Sequence, residues 1–232
     1  MTEDVRRSEA LGDTQNGDNG GTATKNSSKT GQIRARNKAR IIAAAEEVFA
    51  AKGYEGATTA EIALKAALPK ANVHYYFSTK EAIYRAVIDN ILDLWLEPFQ
   101  RITENDDPAE ALSTYIRTKV MLSRDRPLAS RIYANEIIRG APILADYLGS
   151  DLREWVAEKS CVLRGWAKKG LMDPVEPAHL LFLIWASTQH YADFQVQAKA
   201  VLHHRDLTED DFETAVQTIT RIVLKGCGVK AD

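Results

Sequence analysis

From Ile33 to the C-terminus, apolar residues recur at intervals of three and four. No stretch alternates apolar with polar side chains for long enough to make a half-buried strand. That regularity restricts the chain to an all-α fold. Breaks fall at Gly53, Leu68-Pro69, Asp106-Asp107-Pro108, Arg126-Pro127, Gly140-Ala141-Pro142, Gly170 with Pro174 and Pro177, and the polar His203–Asp206 stretch. The spacing predicts helices over 33–52, 58–66, 69–77, 78–95 with an end or kink near Pro98, 108–123, 127–138, 143–169, 176–199 and 209–225. The 232 residues have room for one large domain or two smaller ones, and no repeat of fixed period divides them.

The early helices carry explicit start signals. Thr58-Thr59-Ala60-Glu61 is a T-x-x-E capping box, and Ser78-Thr79-Lys80-Glu81 reads as a second one that opens the long helix from Ser78. Pro69 suits the first turn of the short helix between them. Two short helices joined by a three-to-four-residue break, packed on a longer basic helix, make a helix-turn-helix arrangement. A generic helical hairpin has the same lengths, so the side chains decide. Thr58 and Thr59 stand at a helix N-terminus, where hydroxyls and backbone N–H groups suit a phosphate. Lys70, Asn72, His74, Tyr75 and Tyr76 crowd one short helix with groups able to donate to phosphates or base edges. For the two tyrosines, plain core packing is the other reading. Arg34, Arg36, Lys38 and Arg40 precede and enter the first helix. Between Gly31 and Lys80, eight basic residues face four acidic ones, whereas residues 81–232 hold 18 basic and 23 acidic. A basic block on a mildly acidic chain is the electrostatic footprint of a polyanion-binding head. Residues 1–31 have too few aliphatic side chains to offset ordering entropy and read as a disordered tail.

The run G-Y-x-G-A-T-T-x-x-E-I-A, followed by K-A-N-V-H-Y-Y-F-S-T-K-E-A-I, resembles the TetR-type DNA-binding domain over about residues 33–95. The resemblance implies that Thr58, Thr59, Tyr76 and Lys80 hold phosphates, and Arg36 of the basic stretch is a further DNA-binding candidate. It also implies that Lys70, Asn72, His74 and Tyr75 lie in or beside the major groove, and that Phe77 is core. Two positions depart from the family pattern: Ala67 stands where the turn usually has Gly, and Pro69 where Ser is usual. The domains expected are a tail at 1–31, the helix-turn-helix head at 32–78, and a helical ligand-binding and dimerisation body at 79–227.

In the body, Leu181, Trp185 and Gln189 share one helical stripe. The Trp–Gln pair reads either as core, with the amide satisfied by backbone, or as a ligand-recognition pair, because a buried amide is costly unless paired. The stretches L-D-L-W-L-E-P, S-R-D-R-P-L-A-S-R, G-A-P-I-L, E-K-S and L-I-W-A-S-T-Q-H-Y-A-D-F resemble the branch of TetR-type regulators that governs pyrimidine utilisation. That resemblance implies uracil or thymine as effector and Trp95, Trp185 and Gln189 as pocket residues, with Tyr115 and Glu136 as weaker candidates. A carboxamide meets the alternating donor–acceptor edge of such a base, and indoles supply flat walls. Phe212, Ala215, Val216, Ile219, Ile222 and Val223 form a heptad-like row in the last helix, fit for packing within the chain or for self-association. The resemblance favours a homodimer on palindromic double-stranded operator DNA, with repression relieved by the effector and pyrimidine catabolism genes as targets.

Other classes fit less of the sequence. His190 and Asp193, three apart on a helix, imitate an acid–base pair, but no nucleophile motif or phosphate loop accompanies them. A TetR-type regulator of another metabolite and a helical adaptor without DNA remain as alternatives. The only two cysteines, Cys161 and Cys227, lack metal spacing, so no metal, cofactor or disulfide framework is expected. With no apolar leader and no run of 18 apolar residues, a cytoplasmic chain without membrane spans is expected.

Overall fold

The computed structural model describes residues 21–229, with side chains from residue 31 onward. The helices are α1 (Gly21–Gly56), α2 (Thr59–Lys65), α3 (Lys70–Tyr76), α4 (Lys80–Gln100), α5 (Pro108–Asp125), α6 (Pro127–Ile138), α7 (Ala145–Tyr147), α8 (Arg153–Lys168), α9 (Pro177–Asp193), α10 (Gln195–Val201) and α11 (Glu209–Gly226). No strand occurs among the described residues. The chain falls into two compact units, Met1–Ala39 and Arg40–Asp232.

In the first unit, the expected tail falls largely outside the described side chains. Residues 1–20 lie outside the described residues, but 21–31 are helical. The low apolar content bears on burial, whereas propagating a helix adds one hydrogen bond per residue and needs no apolar face.

Most starts in the second unit follow the local chemistry. Thr58 closes its capping box with Glu61, Thr208 closes another with Asp211, and Asp107 accepts from the Glu110 N–H at 2.8 Å ahead of Pro108. Gly53 breaks α1 with φ +67 and ψ 175. The box expected at Ser78 is shifted: Thr79 is the cap, accepting from Ala82 N at 3.0 Å. α4 ends near Pro98, as expected, at Gln100, with Pro98 and the fully buried Phe99 in its last turn. The helix expected over 143–169 is interrupted by a π-helical turn, Leu148–Leu152, containing Gly149. The one expected over 176–199 breaks at Phe194 (φ −114, ψ 31). Apolar spacing persists across a one-residue break because i→i−4 bonds close on both sides, from Phe194 N to His190 O and from Ala198 N to Phe194 O.

Two apolar cores stabilise the second unit, each fully buried aliphatic or aromatic side chain contributing about 1.5–3 kcal/mol. The first joins Ile41, Phe49, Ile62, Val73 and Phe77 to α4 from Ile83 to Trp95 and to Ala129 and Ile132 of α6. The second runs from Phe99 through Tyr115, Trp166, Ile184 and Phe212 to Val229. The packing therefore divides on α4 between Trp95 and Phe99, later than the 78/79 boundary read from sequence.

Candidate nucleic-acid interface and effector site

Around its apolar core, the head carries a set of bonds to helix ends. In the Thr58 box, the hydroxyl accepts from Glu61 N (3.2 Å) and donates to Glu61 Oε2 (2.9 Å). Its single proton is thereby directed to Glu61, so Thr58 caps α2 and has no proton to give a phosphate while the box is closed. Thr59, one residue on, is half-buried. At the other end, Leu68 N donates to Ala63 O and Ala67 N to Leu64 O, both at 3.0 Å, which is a Schellman motif. Ala67 occupies its left-handed position at φ +50, where a glycine would be unstrained. The Arg40 guanidinium donates to Ala66 O (2.7 Å) and Ala67 O (3.2 Å), satisfying carbonyls that the helix end leaves open.

Helix α3 starts one residue later than expected: Pro69 is its N-cap rather than its first helical residue. Val73 is the buried anchor of this helix, while Lys70, Asn72, His74 and Tyr75 are all exposed. At 69% exposure Tyr75 is no core aromatic, whereas Tyr76 is half-buried against the first core and meets Tyr75 edge-on at 5.2 Å. Phe77 is core, as the resemblance implied. Arg36 is exposed on α1 in the first unit.

Lys80 is placed differently from its expected phosphate role. Its ammonium donates to Tyr54 O (2.8 Å), Ala57 O (3.2 Å) and Glu55 O (3.4 Å) and sits 4.4 Å over the Tyr54 ring. Three carbonyls take its three N–H bonds, so the first residue of α4 clamps the C-terminal end of α1. Nothing in the sequence marks partners 23–26 residues apart.

In the body, α5 packs most extensively on α9 and α11, with α4 against α5 and α6 against α9 and α5. Trp185 Nε1 donates to the Tyr115 hydroxyl at 2.8 Å, and burial raises the pKa of that phenol. Trp185 is half-buried, with Trp155 at 6.2 Å and Phe182 at 5.8 Å between ring centres. Gln189 and Asp193 follow Trp185 at successive turns of α9. Gln189 is half-buried, and no hydrogen bond holds its carboxamide among the described residues. Trp95 is buried, edge-on to Tyr133 at 5.2 Å, with the Lys119 ammonium 4.2 Å over its ring. Trp95 and Trp185 do not form a ring pair among the described residues. They meet α5 at adjacent turns, Trp95 through Lys119 and Trp185 through Tyr115.

Lys119 and Ser130 are polar groups here that the sequence reading does not single out, and Asp193 reads there only as a partner of His190. Ser130 Oγ donates to Asp193 Oδ1 at 2.6 Å, and burial raises the Asp193 pKa. Burial lowers that of Lys119 to about 7, against the opposing pull of Asp193. A signal was present: Lys119 falls on the α5 stripe of Leu112, Tyr115, Ile116 and Val120, where a charge is out of place. Glu136 is a structural link, accepting from Tyr84 Oη (3.2 Å) and Ile143 N (2.7 Å). The His190 ring stacks on Phe194 at 5.3 Å while Asp193 turns to Ser130.

The heptad-like row of α11 resolves mostly into intrachain packing: Phe212, Ala215, Val216, Ile219 and Val223 are buried and only Ile222 is exposed. Exposed apolar side chains on neighbouring helices include Phe182 and Leu183 on α9 and Val196 and Val201 on α10. Both thiols are free, Cys161 exposed and Cys227 buried. Among the described residues, no helix is long and apolar enough to cross a membrane.

Residues 41–87 match the bacterial regulatory proteins of the tetR family, and residues 88–230 match the C-terminal region of YcdC-like proteins. The chain belongs to the TetR family of transcriptional regulators, proteins that bind operator DNA through an N-terminal helix-turn-helix and respond to small-molecule effectors. It is 42% identical over 204 residues to the HTH-type transcriptional regulator RutR of Escherichia coli K12, covering 88% of this chain and 96% of RutR. Among solved structures it resembles SCO4942 of Streptomyces coelicolor (26% identity, TM-score 0.64, covering 84% of this chain and 99% of that one). It shares the fold of AibR, solved with isovaleryl coenzyme A and operator DNA (18% identity, TM-score 0.59, covering 80% and 97%).

Proposed function

We propose that this chain is a dimeric repressor of pyrimidine catabolism genes, released from its operator by uracil or thymine. The observation that carries this reading is the facing of two stripes. Trp185 on α9 bonds Tyr115 on α5, Gln189 follows Trp185 one turn on, and Lys119, one turn on from Tyr115, stands over Trp95, in a chain 42% identical to RutR. Indole walls and an unengaged carboxamide suit a flat base with alternating carbonyl and N–H groups.

On DNA, the outward row of α3 does the reading: Lys70, Asn72, His74 and Tyr75 meet base edges and nearby phosphates. Arg36, Thr59 and Tyr76 serve the backbone, while Thr58 and Lys80 hold the frame that presents them. Two helices carry the signal. α4 bears Trp95 about 22 Å from Lys80 at ~1.5 Å per residue, so a shift at the ring reaches the clamp on α1. α6 turns Ser130 and Tyr133 to the effector site and packs Ala129 and Ile132 into the head core, with Arg126 bonded to Glu46 of α1 at 2.5 Å. Because two recognition helices must dock about 34–36 Å apart on DNA, a small rotation of the heads abolishes simultaneous binding. The base acts only by favouring the DNA-incompetent arrangement.

A gel-shift titration on the upstream region of pyrimidine catabolism genes tests this. Uracil or thymine at millimolar concentration is expected to weaken the complex at least tenfold. Release by a different metabolite, with both bases silent, leaves a TetR regulator of another effector.

A further inference from the structure

Lys119 is 2% exposed, and its ammonium faces the Trp95 ring. An aromatic face favours the charge but does not replace the acceptors that three N–H bonds lose on leaving water. The carboxylate that acts on it is Asp193, yet no ion pair within 4.0 Å joins them among the described residues. Asp193 accepts from Ser130 through Oδ1, which leaves Oδ2 able to accept again. A largely enclosed donor and a partly buried acceptor thus stand without an ion pair between them, the donor against the flat wall of Trp95.

We propose that Lys119 and Asp193 form the polar end of the effector site and read a ligand edge bearing a carbonyl next to an N–H. Lys119 donates to the carbonyl oxygen and Asp193 Oδ2 accepts from the N–H. The inference rests on the effector site proposed above and adds two specificity residues to it. The pair also defines what is refused. A simple carboxylic acid satisfies Lys119 but brings a negative charge to Asp193, and a simple amine does the reverse. Flat cyclic imides and ureides satisfy both groups without net charge.

The test uses the full-length protein, with thermal shift and calorimetric titration against uracil, thymine, dihydrouracil, 1,3-dimethyluracil and cyclohexanecarboxylate. The expected result is binding of at least one of the three N–H-bearing compounds, with the dimethyl compound and the acid at least tenfold weaker. Lys119→Met and Asp193→Asn are each expected to lower affinity tenfold or more, with folding checked by circular dichroism. Should Lys119→Met not fold, Lys119→Gln takes its place, and the ligand series on unaltered protein needs no variant. Equal binding of 1,3-dimethyluracil, or wild-type affinity in both variants, overturns the assignment of these residues while leaving a pyrimidine effector intact. Binding of dihydrouracil without uracil or thymine overturns the pyrimidine-base reading and supports the edge. A protein that binds no cyclic imide or ureide overturns both.

Discussion

Two residues are held in conformations or environments that oppose their chemistry, and both carry measurable consequences. Ala67 sits at φ +50 in the Schellman turn between α2 and α3. Ala67→Gly relieves left-handed strain and is expected to stabilise the protein by about 0.5–1 kcal/mol, read as a higher urea midpoint. In the folded protein burial disfavours the charge of Lys119 and lowers its pKa from the ordinary lysine value of 10.5 to about 7. The unfolded chain therefore binds more protons across that window. Stability is greatest above pH 10.5, falls as pH falls toward 7, and levels off below it. Lys119→Met removes the buried charge, so it is expected to flatten this slope and to raise the melting temperature at neutral pH. A neutral-pH melting temperature well below that of the wild type would instead make Lys119 a packing residue.

Among the helices, the head is organised by who closes whose end. Lys80 at the start of α4 closes α1, and Arg40 on α1 closes α2. These contacts distinguish two lysines that composition alone treats alike. Lys80→Gln is expected to destabilise the head by roughly 1–3 kcal/mol and to weaken DNA binding without changing its salt dependence. Lys70→Ala is expected to leave stability within about 0.5 kcal/mol and to reduce the salt slope by about one unit. Binding measured from 50 to 300 mM salt separates the two, and a reduced slope for Lys80→Gln would return that residue to phosphate contact.

At the scale of the molecule, the exposed apolar side chains of α9 and α10 need a covering surface, and a second copy of the chain supplies one in the proposed dimer. Leu183→Glu together with Phe182→Glu is expected to yield a monomer by sedimentation, with operator affinity lower by at least a hundredfold. Each head alone has half the contacts, and the paired docking is lost. A double variant that stays dimeric would move the interface to another face.

Much of this architecture was legible in the chain itself, because the relevant information is local. Caps at Thr58, Asp107 and Thr208, prolines at 108, 127 and 177, and the break at Gly53 act within a few residues of where they stand. The outward row of α3 follows from a single buried anchor, Val73. What the sequence could not specify are groups whose partners are distant in the chain. Lys80 and Thr58 look like phosphate ligands until helix ends and a capping carboxylate claim their protons. Lys119 reads only as a charge out of place on an apolar stripe, and its burial against Trp95 is decided by the packing of α4 and α5. The all-α fold, the helix-turn-helix and the family were thus determined by local periodicity and motif. The use of each polar group was decided only by tertiary structure, because hydrogen-bonding capacity is finite and the nearest acceptor in space is seldom the nearest in sequence.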